Sequence, residues 1–322
     1  PVPGWLRLWA WLTAALALPL ATLGAHVTTT NSGMVDAVGV RSPAYLFQRE
    51  EDVPGQPVRF FHLLEKSWET GGHREFQMLV EHGHRLLGYL VGGAALVLAI
   101  GLGLQARGWH RWLGLLAGSL VAVQGILGIL RVSRISLTFA ALHACFAQLV
   151  FASLVAVAVL CSRSWTKQAV GRPLGRGALL VLLVLYAQLV AGALLRHLFD
   201  PIAQRVHLVG AFVAVGAALW LVANVRREDR AAAPRLFAAA LAILVLVQPV
   251  LGVEALLRRF GTGELPDAVP YSFWADFFRS GHHVVGTLVF SCAAGLAVLL
   301  FRPRSQAASS ALLHARAMEG AL

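Results

Sequence analysis

Eight apolar runs, each near or above the roughly 20 residues a helix needs to cross a bilayer, leave this chain few choices of fold. They lie roughly at 5–26, 76–104, 112–131, 135–161, 177–197, 202–224, 234–257 and 279–301. With no water in the hydrocarbon region, every backbone N–H and C=O must find its partner within the structure, so runs of this length are helices. Composition agrees. Only 13% of the 322 residues are charged, against roughly a quarter in soluble domains. The first run lacks a basic leader and passes directly into a polar loop, which reads as a span rather than a cleaved signal.

The net charge of +11 raises the question of a nucleic-acid partner, and its distribution excludes one. Arg107 and Arg111 follow the second run, and Arg163, Lys167, Arg172 and Arg176 follow the fourth. Arg226, Arg227, Arg230 and Arg235 follow the sixth, and Arg302 and Arg304 the eighth. The long loop after the first run holds at least as many acids as bases. By the positive-inside rule both termini are cytoplasmic. Cys145, Cys161 and Cys292 lie inside or at the end of apolar runs, so no disulfide framework is expected.

Two repeats organise the spans. Spans 3, 5 and 7 each carry Gln followed four residues later by Gly: Gln124/Gly128, Gln188/Gly192 and Gln248/Gly252. Span 1 has the related "LATLG" ending at Gly24. Small residues let helices approach and Gln bridges them, which is one reading of these pairs. An Arg follows each pair as the helix ends (Arg131, Arg196 and Arg258). These reach either an anionic group at the outer surface or simply the interface, by snorkelling.

The even spans carry the second repeat: His84, His143, His207 and the pair His282–His283. All lie within the first turns from the outer end, hence at similar depth. Four residues after each, on the same helix face, comes a small residue: Gly88, Ala147, Ala211 and, counting from His282, Gly286. A histidine with space beneath it suits an axial-ligand helix, because the nitrogen reaches the iron while the flat ring lies close to the backbone. Two such helices make a bis-histidine haem site. Zinc fits less well, since it needs three or four clustered ligands. The pairing expected is His84 with His143 and His207 with His282, one iron per half, with His283 as the substitute for His282. The alternative for any single one of these residues is an ordinary hydrogen-bonded histidine.

Glu81 separates the halves. It sits three residues before His84, one turn nearer the outer surface, where spans 4, 6 and 8 have Ala140, Gln204 and Arg279. A carboxyl held in a dry site can move protons; the alternative is an ion pair with Arg85. His82 points to another face and reads as an interfacial residue.

The stretches "EHGHRLLGYL", "ALHACFAQLVF", "GALLRH" and the loop "VTTTNSGM" together resemble the haem A synthases, proteins of cytochrome oxidase assembly. The Glu-x-x-His-Arg motif, here Glu81, His84 and Arg85, is the most specific element, and the resemblance covers residues from about 10 to 301. It implies an all-α membrane protein of eight transmembrane helices in two pseudo-symmetric four-helix bundles, here about 1–165 and 166–322. It implies oxidation of a methyl group of haem O to formyl by successive hydroxylations, using O2 and an external electron donor. His84 and His143 would flank the substrate haem, Glu81 would be the essential acid, and Arg85 would meet a propionate. His207 and His282 would hold haem b. Partners implied are haem O synthase, cytochrome oxidase subunits and a further copy of the chain. The chain lacks the loop cysteine pairs of many members and resembles the cysteine-free type. Span 6, with "VHLVG", lacks Arg after its His.

Two other functions share these residues. A di-haem electron-transfer cytochrome would leave its haems unaltered, and a haem carrier would need exchangeable ligation; neither needs Glu81. The aromatic-rich loop after span 1 (Tyr45, Phe47, Phe60, Phe61, Trp68) reads as a lid over the substrate haem or as a cover for the bundle ends.

Overall fold

The computed structural model describes residues 2–33, 47–49, 57–59, 73–166, 172–227, 232–260 and 272–301. Among these, eight helices are long and apolar enough to cross a membrane, and the chain is an all-α, multi-pass membrane protein. They are α1 (Gly4–Thr29), α2 (His73–Gln105), α3 (His110–Arg134), α4 (Leu137–Cys161), α5 (Arg172–Leu198), α6 (Pro201–Arg227), α7 (Ala232–Phe260) and α8 (Phe273–Leu300). Several begin earlier than the apolar runs, because helix persists into the polar interfacial residues that hydropathy leaves out. A single turn, Arg163–Thr166, follows α4. The loop after α1 contains a short antiparallel pair, β1 (Phe47–Arg49) with β2 (Pro57–Arg59), in which Gln48 faces Val58. Tyr45, Phe60, Phe61 and Trp68, on which the lid reading rests, lie outside the described residues, as do Lys167, Arg230, Arg302 and Arg304.

The outer helix ends are set by local chemistry. At the end of α1 the hydroxyls of Thr28, Thr29 and Thr30 donate back to the carbonyls of Gly24, Ala25 and His26 at 3.4, 2.9 and 2.8 Å. Asn31 then turns the chain with φ 54°, a left-handed conformation that Asn tolerates better than most side chains. The α3–α4 and α5–α6 turns use one device twice. Ile135 (φ 47°) and Phe199 (φ 53°) are left-handed, and the next residue caps the following helix. Ser136 Oγ accepts from Phe139 N at 3.5 Å, and Asp200 Oδ1 accepts from Ala203 N at 2.6 Å. Each cap satisfies one of the amide groups orphaned at a helix start.

Packing follows the same two-fold pattern. In the first half α1 packs on α2, α2 on α3, α3 on α4, and α4 back on α1. In the second half α5, α6, α7 and α8 close a ring in the same order. The halves join where α4 meets α8 and α5, and where α1 meets α8. Accordingly α4 and α8 are the most buried spans. One apolar core lies within each half, with Leu98, Leu102 and Leu154 in the first and Leu221, Leu241 and Leu296 in the second.

Candidate functional site

The N-terminal ends of the even helices each meet a glycine of the preceding odd helix. Methyl groups built on Gly24, Gly128, Gly192 and Gly252 would stand 2.9, 3.3, 2.8 and 2.8 Å from Cε1 of His84, His143, His207 and His282. The reason lies in helix geometry. A helical side chain leans towards the N-terminus and covers the turn before it, so glycine at i+4 uncovers the carbonyl of residue i. The imidazole takes that carbonyl. His207 Nδ1 donates to the Gln188 carbonyl at 3.0 Å, His282 Nδ1 to that of Gln248 at 3.3 Å, and His84 Nδ1 to that of Leu20 at 3.1 Å. The Gln124 carbonyl is likewise the backbone partner of His143.

Because a carbonyl can only accept, the contacts of His84, His207 and His282 put the proton on Nδ1 and leave the lone pair on Nε2; at His143 the Gln124 amide also lies 3.1 Å from Nε2. This is the outer-sphere arrangement that orients a metal-binding histidine. The glutamines add a second bond in the opposite sense. Nε2 of Gln188 donates to the His207 carbonyl at 2.7 Å, and Nε2 of Gln248 to the His282 carbonyl at 2.8 Å. Gln124 Nε2 lies 3.2 Å from the His143 carbonyl and 3.1 and 3.2 Å from its ring nitrogens. The Gln–Gly pairs are therefore cradles for the histidines, rather than simply points of close helix approach.

The rings of His207 and His282 meet edge-on, with centroids 6.0 Å apart and planes at 89°. Two imidazoles on opposite sides of one ion, with bonds of about 2 Å, have centroids about 6 Å apart. The residues present thus fit an axial pair on one haem iron. His283 turns away and meets Gln148 Nε2 of α4 at 3.3 Å, so His282 is the member of the pair aimed at His207. In the first half His84 and His143 lie within electrostatic range of one another. No three His, Cys, Asp or Glu side chains gather as a bare metal ion requires, among the described residues.

Two sequence expectations change. The small residue below His282 does not leave a gap: a methyl on Gly286 would stand 2.9 Å from Gln248 Nε2, because the clamping amide occupies that space. Below His84 the gap is real, since a methyl on Gly88 meets no described atom within 4 Å. His82 is not interfacial; it is 1% exposed, since its face of α2 turns into the protein. Glu81, 3% exposed, is ion-paired with Arg85 one turn on, the alternative that the sequence left open for it.

The three arginines at odd-helix ends have three different environments. Arg131 lies in the field of Glu81. Arg258 pairs with Glu254 at 3.1 Å and covers Phe278 at 4.8 Å. Arg196 turns inward and donates to the Ala25 carbonyl and to Thr29 Oγ1, both at 2.8 Å. Near it Ser280 Oγ, with one proton to give, lies 3.1 Å from Thr29 Oγ1 and 3.0 Å from Asp276 Oδ1, and His26 Nδ1 lies 2.7 Å from Asp276. This polar seam between the halves was not foreseen from the sequence. The buried Thr-rich end of α1 was its only sequence signal. Comparison with protein-family models and with curated proteins yields no match.

Proposed function

We propose that the chain is a haem A synthase, oxidising the methyl group of haem O to formyl by successive hydroxylations for cytochrome oxidase assembly. The observation that carries this reading is an asymmetry. Both halves have histidine cradles at one level, but only the first has a buried carboxylate one turn outside its histidine. The second half fits haem b, held by His207 and His282. In the first half His84 and His143 hold haem O as substrate. Haem bound there supplies the redox chemistry, with O2 and an external electron donor as co-reactants.

The chain's own residues do the rest. The cradles fix four imidazole planes before any ligand arrives, which is the form positioning takes in a preorganised site. Glu81 carries the protons that hydroxylation consumes, at a carboxylate whose charge Arg85 and Arg131 balance. Burial at 3% exposure keeps bulk water away from that carboxyl, where a proton carrier is most effective. Haem O synthase and cytochrome oxidase subunits are the partners such chemistry needs, in a bacterial cytoplasmic membrane with both termini inside.

The test is haem extraction and mass analysis after co-expression with a haem O synthase in a host that makes no haem A. Wild type is expected to yield haem A or its hydroxylated intermediate, and Glu81→Ala to yield neither while retaining haem b. Recovery of haems B and O alone from wild type, with haem B at full occupancy and electrons supplied, replaces this reading with an electron-transfer cytochrome or a carrier.

A further inference from the structure

We infer that His84 is the one yielding ligand among the four histidines, because Leu20 stands where glutamine clamps the other three. This rests on the haem reading above. The four cradles share one register: a residue whose carbonyl takes the imidazole, and a glycine four residues later. At Gln124, Gln188 and Gln248 the side-chain amide also donates to the main-chain carbonyl of the histidine, at 3.2, 2.7 and 2.8 Å. That second bond staples the even helix to the odd one at the ligand itself. Leu20 has no donor. His84 keeps the ring bond at 3.1 Å, so it is oriented, but its own main-chain carbonyl lacks the side-chain staple; the nearest ties of α2 to α1 are Gln77 to the Thr30 carbonyl and Trp9 to the Ala94 carbonyl.

A second observation points the same way. The staple of His282 fills the space one turn below it, against Gly286. The corresponding space at Gly88 is open among the described residues, so the His84 ring has room to swing away. A small diatomic ligand that takes an axial position in the first half therefore displaces His84, not His143. In the second half each imidazole keeps its one ring bond on a main chain that glutamine also holds. Leu20 thus adds a second difference between the halves to that of Glu81.

The experiment is carbon monoxide uptake by the dithionite-reduced, haem-loaded protein in detergent, followed optically. Wild type, Leu20→Gln and Gln248→Leu are compared. One added hydrogen bond is worth about 1 kcal/mol, so Leu20→Gln is expected to slow or weaken uptake about fivefold, with Leu20→Met unchanged. Gln248→Leu is expected to add uptake at the second haem. Equal uptake in wild type, Leu20→Gln and Gln248→Leu overturns the inference. A wild-type chain that shows no bis-histidine haem spectrum overturns the haem reading, and this inference with it.

Discussion

At the scale of single residues the structure turns on carbonyls that glycine uncovers. Gly192→Ala and Gly252→Ala each push a methyl to 2.8 Å from an imidazole carbon, and overpacking of this kind costs about 1–3 kcal/mol. Both are expected to lower haem b occupancy and the thermal midpoint of the loaded protein. Gly92→Ala, where a methyl meets no described atom, is expected to be neutral or slightly stabilising, since Ala favours helix by about 1 kcal/mol. Haem-to-protein ratio and differential scanning calorimetry of the three variants measure the contrast. The histidines themselves were legible in the sequence, because one residue type recurred at equal depth on alternate spans. Their cradles were not. The Gln–Gly spacing was visible, but its meaning lies in a contact between two helices, and periodicity within one helix carries no information about what reaches it from another. His82 failed for the same reason. Its face of α2 is polar by composition but buried by the fold.

At the scale of elements, the outer end of α1 is the joint of the molecule. Its three threonines cap their own helix, and Thr29 also receives Arg196 from α5 and Ser280 from α8. Gln77 of α2 donates to the Thr30 carbonyl at 2.7 Å. One helix end thus holds elements from both halves. Hydrogen bonds from a charged donor contribute about 1.5–3 kcal/mol each, and Arg196 makes two. Arg196→Met, of similar reach without the donors, is expected to destabilise the protein by about 2–4 kcal/mol and to raise amide exchange at Ala25–Asn31, with the α7 amides unaffected. Hydrogen-exchange mass spectrometry resolves the two regions. A uniform rise across all eight helices would mean that Arg196 serves folding in general rather than this joint. The helices were read correctly from the sequence because length and apolarity fix them. The short β1–β2 pair was not, since three-residue strands in a polar loop leave no hydrophobic pattern to read.

For the whole molecule, the even helices end in arginine-rich turns and the odd helices end at the site. By the positive-inside rule this orientation would place the proposed haem face outside. A cysteine replacing exposed Ser133 at the end of α3 is expected to react with a membrane-impermeant maleimide in intact cells. One replacing exposed Arg107 beyond α2 is expected to react only after permeabilisation. Labelling in the reverse pattern would move the site to the cytoplasmic side and require a different source of electrons and substrate.

The seam between the halves has one more consequence. The pairing of α4 with α8, flanked by α1 with α8 and α4 with α5, is the geometry of an isologous dimer whose two copies have been joined in one polypeptide. Such a contact uses up both of its faces and closes on itself. Nothing of it remains to recruit a further copy. Among the described residues the large apolar side chains left outward stand on the other helix faces, such as Leu8 of α1, Leu104 of α2, Leu180 of α5 and Phe212 of α6, the faces that a membrane protein turns to lipid. A partner would have to displace lipid there, on a surface the internal symmetry presents twice.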